Sequence, residues 1–285
     1  MKCALRGLAT ALRPSSLNPA TMISLRNCLL TLLVFGSVLL ASAAELPDPK
    51  LTEYWTPQPP VVSSPEGGVP SDAIVLFDGT NLDEWLITRE NDEGEKVMQP
   101  ANWVLEDGAM IVPPRVKNSP SSDVTSVQAF GDIQLHLEWR APVVTDPSKV
   151  SQQRGNSGIF FMNRYEVQVL DCYENLSYVN GMTASIYKQQ VPLANVCRPP
   201  GEWQTYDIFF VAPKFEPDGT LLEKAHITVV HNGVVVLLNA PIYGPTEYRG
   251  QPSYKFHTPR QPLRLQDHNN PVAYRNIWVR ELDLN

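Results

Sequence analysis

The sequence predicts an all-β protein, a sandwich or jelly roll, on three observations. Short apolar runs broken by Gly, Pro, Asn and Asp recur at intervals of roughly 10–20 residues from Ala73 to the C-terminus. One of them, Ile133–Arg140 (IQLHLEWR), alternates without fault. Ile133, Leu135, Leu137 and Trp139 share one face, and Gln134, His136, Glu138 and Arg140 the other. No window of about a dozen residues carries a helical period.

In chain order, residues 1–44 read as a signal peptide. Met22–Ala44 holds a single Arg, an apolar run from Cys28 to Leu40, and a small-residue end at Ala41-Ser42-Ala43. The run is short for a membrane span, so no span is expected once the leader is cleaved. The expected location is outside the cytoplasm, periplasmic or extracellular. Residues 45–72 carry seven prolines and few long apolar residues, a linker or arm. Residues 73–285 then form one domain.

Within it, Ala73–Phe77 leads into a turn at Asp78-Gly79. Trp103–Leu105 and Ala109–Val112 flank Glu106-Asp107-Gly108 as a hairpin. Ile227–Val230 and Val234–Leu238 flank Asn232-Gly233, the strongest short hairpin signal. Trp203–Val211, Leu263–Gln266 and Ala273–Leu282 complete the strands.

Removing the leader leaves 19 Lys+Arg against 30 Asp+Glu, a formal charge of −11. That balance argues against nucleic acid and anionic membranes as partners and suits neutral ligands such as sugars. Cys172 and Cys197 are the two cysteines beyond the leader, the one pair available for a disulfide in an oxidising compartment. The motifs of P-loop proteins, dinucleotide binders, zincins and serine hydrolases are absent. No cofactor is predicted. An acidic surface permits a divalent metal, but no loop has a metal-ligand pattern.

The stretch Arg154–Asp171 (RGNSGIFFMNRYEVQVLD) holds the first candidate site. Strands Ser157–Met162 and Tyr165–Leu170 joined at Asn163-Arg164 put Glu166 and Gln168 on one face, and Tyr165, Val167 and Val169 on the other. That polar pair is either a solvated outer face, the commoner outcome, or a binding floor beside Asn156. Glu166 and Asp171 fall on opposite faces, so a paired-carboxylate glycosidase would need a bulge between them. Gln266-Asp267-His268-Asn269 is a loop cap or a site in which His268 is a general base oriented by Asp267 or Gln266. Arg275 shares parity with Ile277 and Val279, and an Arg facing a core needs a partner: a buried carboxylate or a substrate.

A resemblance gathers these fragments. It runs through Leu76-Phe77-Asp78-Gly79 with Leu82 and Trp85, then Trp103 with Asp107-Gly108, and Phe130-Gly131-Asp132 with Leu137-Glu138-Trp139-Arg140. It continues in Gly155-Asn156-Ser157-Gly158-Ile159, Tyr165 to Asp171, Ile186-Tyr187 and Pro200-Gly201-Glu202-Trp203. It ends in Asn232-Gly233, Leu265-Gln266-Asp267-His268 and Tyr274-Arg275-Asn276-Ile277. In this order Ala73–Asn285 resembles the 3-keto-disaccharide hydrolase family.

The resemblance implies a concanavalin A-like jelly roll with 3-keto-glycoside lyase and 3-keto-2-hydroxyglucal hydratase activity. A C3 ketone acidifies the C2 proton; a base removes it, the C1 substituent leaves, and water adds to the glucal. Position and chemistry give Glu166 or His268 the base role, Arg140, Arg275 and Gln168 the enolate donors, and Asn156, Gln266 and Asp267 the sugar hydroxyls. Three other readings stay open: a non-catalytic, lectin-like glycan-binding module, a conventional glycoside hydrolase using Glu166 and Asp171, and a structural domain of the cell envelope. Oligomeric state is not specified.

Overall fold

The computed structural model describes residues 46–91, 93–114 and 121–284; the expected leader at 1–44 lies outside the described residues. The described residues fall into two units that divide between Pro60 and Val61. In the first, the Asp48 carboxylate caps a short 3-10 turn at Pro49–Thr52 by accepting the Lys50 N–H. The second unit takes in residues 61–72 of the proline-rich stretch. There Ser71 Oγ accepts from the Ser63 N–H at 3.0 Å, and Asp72 pairs with Arg280 at 2.6 Å.

The second unit is a sandwich of antiparallel sheets. One sheet has eight strands. In spatial order these are β14 (Val234–Pro241), β13 (His226–His231), β10 (Gln204–Val211), β7 (Ile133–Arg140), β16 (Ala273–Glu281), β5 (Ala109–Ile111) and β4 (Val104–Glu106). The eighth, β1 (Ile74–Phe77), also pairs with β16. The other sheet has six: β3 (Lys96–Pro100), β2 (Trp85–Glu90), β6 (Val124–Phe130), β15 (Gln261–Leu265), β8 (Ser157–Phe161) and β9 (Tyr165–Val169). A separate ribbon joins β11 (Lys214–Phe215) to β12 (Leu221–Glu223). This is the all-β architecture that the turn-broken apolar runs predict.

Alternation puts one face of each sheet into a shared core. Ile133, Leu135, Leu137 and Trp139 of β7 are buried beside Tyr206, Ile208 and Phe210 of β10. Opposite them lie Ile159 and Phe161 of β8, Tyr165, Val167 and Val169 of β9, and Leu263 and Leu265 of β15. Phe161 stacks on Phe210 at 4.9 Å between centroids, joining the layers. Two core tyrosines also hydrogen-bond across: Tyr206 donates to the Gln168 carbonyl at 2.9 Å, and Tyr274 to Ser157 Oγ at 2.6 Å. The strands β8 and β9 are therefore held from behind at the residues that precede and carry the polar face.

One parity expectation is corrected. Asn276 is left-handed at φ 49°, and the β16–β7 register shifts between Arg275 and Trp278. The bulge turns Arg275 away from the core that Ile277 enters. Arg275 instead pairs with Glu138 at 2.6 Å on the outer face of the eight-stranded sheet.

Cys172 and Cys197 stand as free thiols, not as the expected bridge, but in hydrogen-bonding contact. That bond holds the Cys172 thiol down at about 7 against its burial, and the Thr183 amide, donating at 3.2 Å, helps. A lowered thiol supplies the thiolate that begins disulfide exchange.

Two stability outcomes follow. Phe210→Ala removes a fully buried ring and is expected to cost about 3–5 kcal/mol in a urea melt. Mild oxidation is expected to join Cys172 to Cys197 and add about 3 kcal/mol, a gain that Cys197→Ser abolishes.

Candidate active site

The outer face of the six-stranded sheet is the floor of a cleft of about 630 Å³. The pleat that buries Ile159, Phe161, Tyr165 and Val167 turns Gly158, Phe160, Glu166 and Gln168 the other way. Register sets Glu166 opposite Phe160 and Gln168 opposite Gly158. The loop after β15 brings in Gln266 and His268, with the Gln266 N–H bonded to the Gly158 carbonyl at 2.9 Å. Gln152, Asn156, Tyr178, Tyr187, Lys188, Thr246 and Tyr248 form the walls.

An amide network sets the floor. Gln168 Nε2 donates to Gln152 Oε1 at 3.1 Å and to the Gly181 carbonyl at 3.2 Å. Gln152 Nε2 donates to the same carbonyl at 2.8 Å, and Asn156 Nδ2 to the Gln152 carbonyl at 2.8 Å. The donors of Gln168 are thus committed, whereas its Oε1 is buried without a partner among the described residues, as is Gln266 Oε1. Two unpartnered acceptors in a roomy polar cleft suit ligand hydroxyls, because a buried acceptor left unpaired costs stability.

Glu166 is the chemical centre. Its residue is 5% exposed, and no hydrogen-bond donor reaches its carboxylate among the described residues. Burial pushes its pKa from 4.5 to about 8; the Arg264 charge opposes the rise and Asp123 adds to it. Arg264 is itself engaged, ion-paired to Asp123 at 2.6 Å and 3.7 Å over the Phe160 ring. Gly158 makes room: a Cβ there would lie 2.6 Å from Glu166 Oε1 and 2.8 Å from the Phe160 ring. Among the described residues lining the cleft, Glu166 is the sole acid.

Comparison with known proteins gives this geometry a family. Residues 72–280 match the family described as 3-keto-alpha-glucoside-1,2-lyase-like domain. The chain belongs to that family. A crystal structure from Parabacteroides distasonis ATCC 8503, titled "putative glycosyl hydrolase", is similar at 44% identity and TM-score 0.70, covering 82% of this chain and 97% of that one. A second structure from the same organism, under the same description, has 20% identity and TM-score 0.51 over 74% of this chain and 94% of that one, a likeness of fold. No curated protein matches the sequence. Membership in the family supports a glycoside-acting enzyme with a sugar substrate.

Of the residues expected at a family site, the structure brings together Glu166, Gln168, Asn156, Gln266 and His268. His268 is exposed at the rim, where the cleft meets a second cavity of about 470 Å³. Asp267 turns away: its carboxylate accepts the Ser122 N–H at 2.8 Å and the Asn269 N–H at 2.9 Å, fastening its own loop. Arg140 and Arg275 are not in the cleft. They stand on the outer face of the opposite sheet with guanidinium carbons 4.7 and 4.1 Å over the Trp203 ring. Parity explains Arg140, since Trp139 beside it fills the core. Asp171 is buried in an ion pair with Arg154 and accepts the Tyr173 N–H at 3.0 Å, a strand-end lock.

Sequence reading missed Gln152, on the short 3-10 turn Ser151–Gln153, and Tyr178, Lys188, Thr246 and Tyr248, in segments with no period to read. Tyr187 carried a signal in the Ile186-Tyr187 pair.

Burial of Glu166 has a stability consequence. Its folded pKa lies above the ordinary 4.5, so the folded state binds the proton more tightly. That contribution is complete below pH 4.5 and is lost as pH rises to about 8. Glu166→Gln, which cannot ionise, is expected to gain several kcal/mol relative to the parent between pH 5 and pH 9. Thermal melts across that range check it.

Proposed function

We propose that the protein is an exported enzyme that cleaves 3-keto-glycosides by proton abstraction at C2 and elimination of the C1 substituent, then hydrates the resulting 3-keto-2-hydroxyglucal. The observation that carries this reading is the isolated, buried Glu166 carboxylate. A carbon acid beside a ketone needs a base stronger than an ordinary carboxylate, and desolvation supplies that strength. A glycosidase working on an intact acetal needs two carboxylates flanking the bond, and among the described residues the cleft is lined by one.

In this reading Glu166 takes the C2 proton and the electron pair moves into the C3 carbonyl as an enolate. Gln266 Nε2 and His268 at the rim supply donors to that oxygen. Gln168 Oε1, held by the Gln152–Gly181 network, accepts a sugar hydroxyl, and Asn156 braces the same wall. Phe160 offers an apolar face to the ring.

Glu166→Gln is expected to lower kcat/KM on a 3-keto-glucoside by at least about 10²-fold, the usual worth of a positioned base. His268→Ala is expected to cost about tenfold, one hydrogen bond to the bound sugar. The pH profile of kcat/KM should rise through a limb near 8 as Glu166 ionises, and this limb should be missing in Glu166→Gln. Turnover of the unoxidised glucoside at a comparable rate, or a near-normal Glu166→Gln, would overturn the assignment.

A further inference from the structure

The reading above names a base and leaves the departing oxygen without an acid. We propose that Tyr187 protonates that oxygen, with Tyr178 and Lys188 as its positioning residues. This rests on Glu166 acting as the C2 base on a 3-keto-glycoside.

Backbone geometry fixes Tyr187 beside Glu166. Ile186 bridges Val167 in antiparallel fashion, and the Tyr187 N–H donates to the Glu166 carbonyl at 3.3 Å. The short Ile186-Tyr187 segment thus extends the sheet past β9, with Tyr187 across from Glu166. Opposed residues of an antiparallel pair present side chains to the same face. Tyr187 and Glu166 accordingly line one cleft.

Tyr187 does not stand alone. Its hydroxyl lies 2.7 Å from that of Tyr178. Tyr187 is 9% exposed and Tyr178 40%, so the pair runs from the cleft interior to solvent. Lys188 Nζ donates to the Tyr248 carbonyl at 2.6 Å and sits 5.4 Å from the Tyr187 ring centre and 5.9 Å from that of Tyr178. Gly181 seats the outer ring, since a Cβ there would overlap Tyr178 Cε2 at 1.9 Å. The same Gly181 offers its carbonyl to Gln152 and Gln168, which ties the tyrosine pair to the floor.

The pair stands between two cavities. Tyr178, Tyr187 and Lys188 also line a cavity of about 450 Å³ closed by Asn180, Gln189, Glu247 and Pro252. They are the partition between that cavity and the Glu166 cleft. In the proposal the sugar ring lies over Glu166 with its C1 substituent toward this partition and the leaving group in the far cavity. Burial raises both hydroxyls above the usual phenol value, which keeps the donor protonated and matches it to an alcohol or sugar that departs poorly as an alkoxide.

The protons balance over the cycle. Glu166 takes the C2 proton, the C1–O1 bond breaks with its electron pair going to O1, and O1 takes the Tyr187 proton. The products are an alcohol, the 3-keto-2-hydroxyglucal, a protonated Glu166 and a Tyr187 phenolate, which the Tyr178 hydroxyl and the Lys188 ammonium stabilise. In the hydration step the phenolate takes a proton from the water that bonds to C1, and Glu166 returns its proton to C2. Both residues end as they began.

The test compares two 3-keto-glucosides, one with a sugar or alkyl leaving group and one with nitrophenol, which departs without acid help. Tyr187→Phe is expected to lose about 10²–10⁴-fold in kcat/KM on the first and at most about tenfold on the second. Tyr178→Phe should show the same selectivity at smaller amplitude. Equal losses on both substrates, or no loss on the sugar, would overturn the acid while leaving the base standing. Glu166→Gln is the control: it should lose both substrates, and its survival on either removes the base and the acid with it. A folded circular-dichroism spectrum and melting curve for each variant separate loss of chemistry from loss of structure.

Discussion

The site depends on one constraint, a largely buried carboxylate that no hydrogen-bond donor reaches among the described residues. Leaving Glu166 unpaired costs stability, and the protein meets that cost through its surroundings. The Arg264 cation is engaged by Asp123 and stacked on Phe160, so it moderates the proton affinity of Glu166 without quenching it. Gly158 leaves the carboxylate the space a side chain would fill. Pairing Glu166 with an arginine would stabilise the fold and lower its basicity.

Holding such a group in place requires a stiff support. Strands β8 and β9 carry it, and the core fastens them from behind. Tyr274 donates to Ser157 Oγ, which donates on to the Gln266 carbonyl at 2.6 Å, so a single chain of hydrogen bonds runs from the opposite sheet to the rim of the cleft. Tyr206 does the same for the Gln168 backbone. From the front, Gln152 links Gln168 and Asn156 and shares the Gly181 carbonyl with Gln168. The polar floor is thus clamped between buried tyrosines and an amide network, an arrangement that limits rearrangement when a ligand binds.

Much of this was legible in the sequence where strands alternate. The faultless run Ile133–Arg140 became β7, Asn232-Gly233 became the β13–β14 hairpin, and parity alone put Glu166 beside Gln168 and turned Asp171 away. Strands β2, β3 and β6 were not among the runs singled out. β3 has no buried residue, so its alternation has nothing to mark, and β6 (VTSVQAF) mixes polar and small residues through its length. Arg275 was misread because a left-handed Asn276 and its bulge reverse the parity on which the expectation rested. The walls were illegible for another reason. Gln152 reaches the cleft from a single 3-10 turn and Tyr178, Lys188 and Tyr248 from loops, where position is decided by contacts distant in sequence.

The misplaced arginines sharpen the chemical argument. Arg275, Glu138, Asn276 and His136 form a hydrogen-bonded network on the far sheet, and Arg140 and Arg275 both stack on Trp203. The arginine that does reach the cleft floor, Arg264, is tied to Asp123 and stacked on Phe160, and Lys188 stands at the wall. A glycosidase acting on an unactivated acetal must generate charge at C1 and stabilise it with a second carboxylate; Asp171, locked to Arg154, is not available for that. A substrate that already carries a ketone brings its own electron sink. The proposed reaction then needs a base of raised proton affinity, neutral donors for the enolate, and a proton for the departing oxygen. A lone buried carboxylate among amides and tyrosines answers that list, and it would be a poor answer to the other.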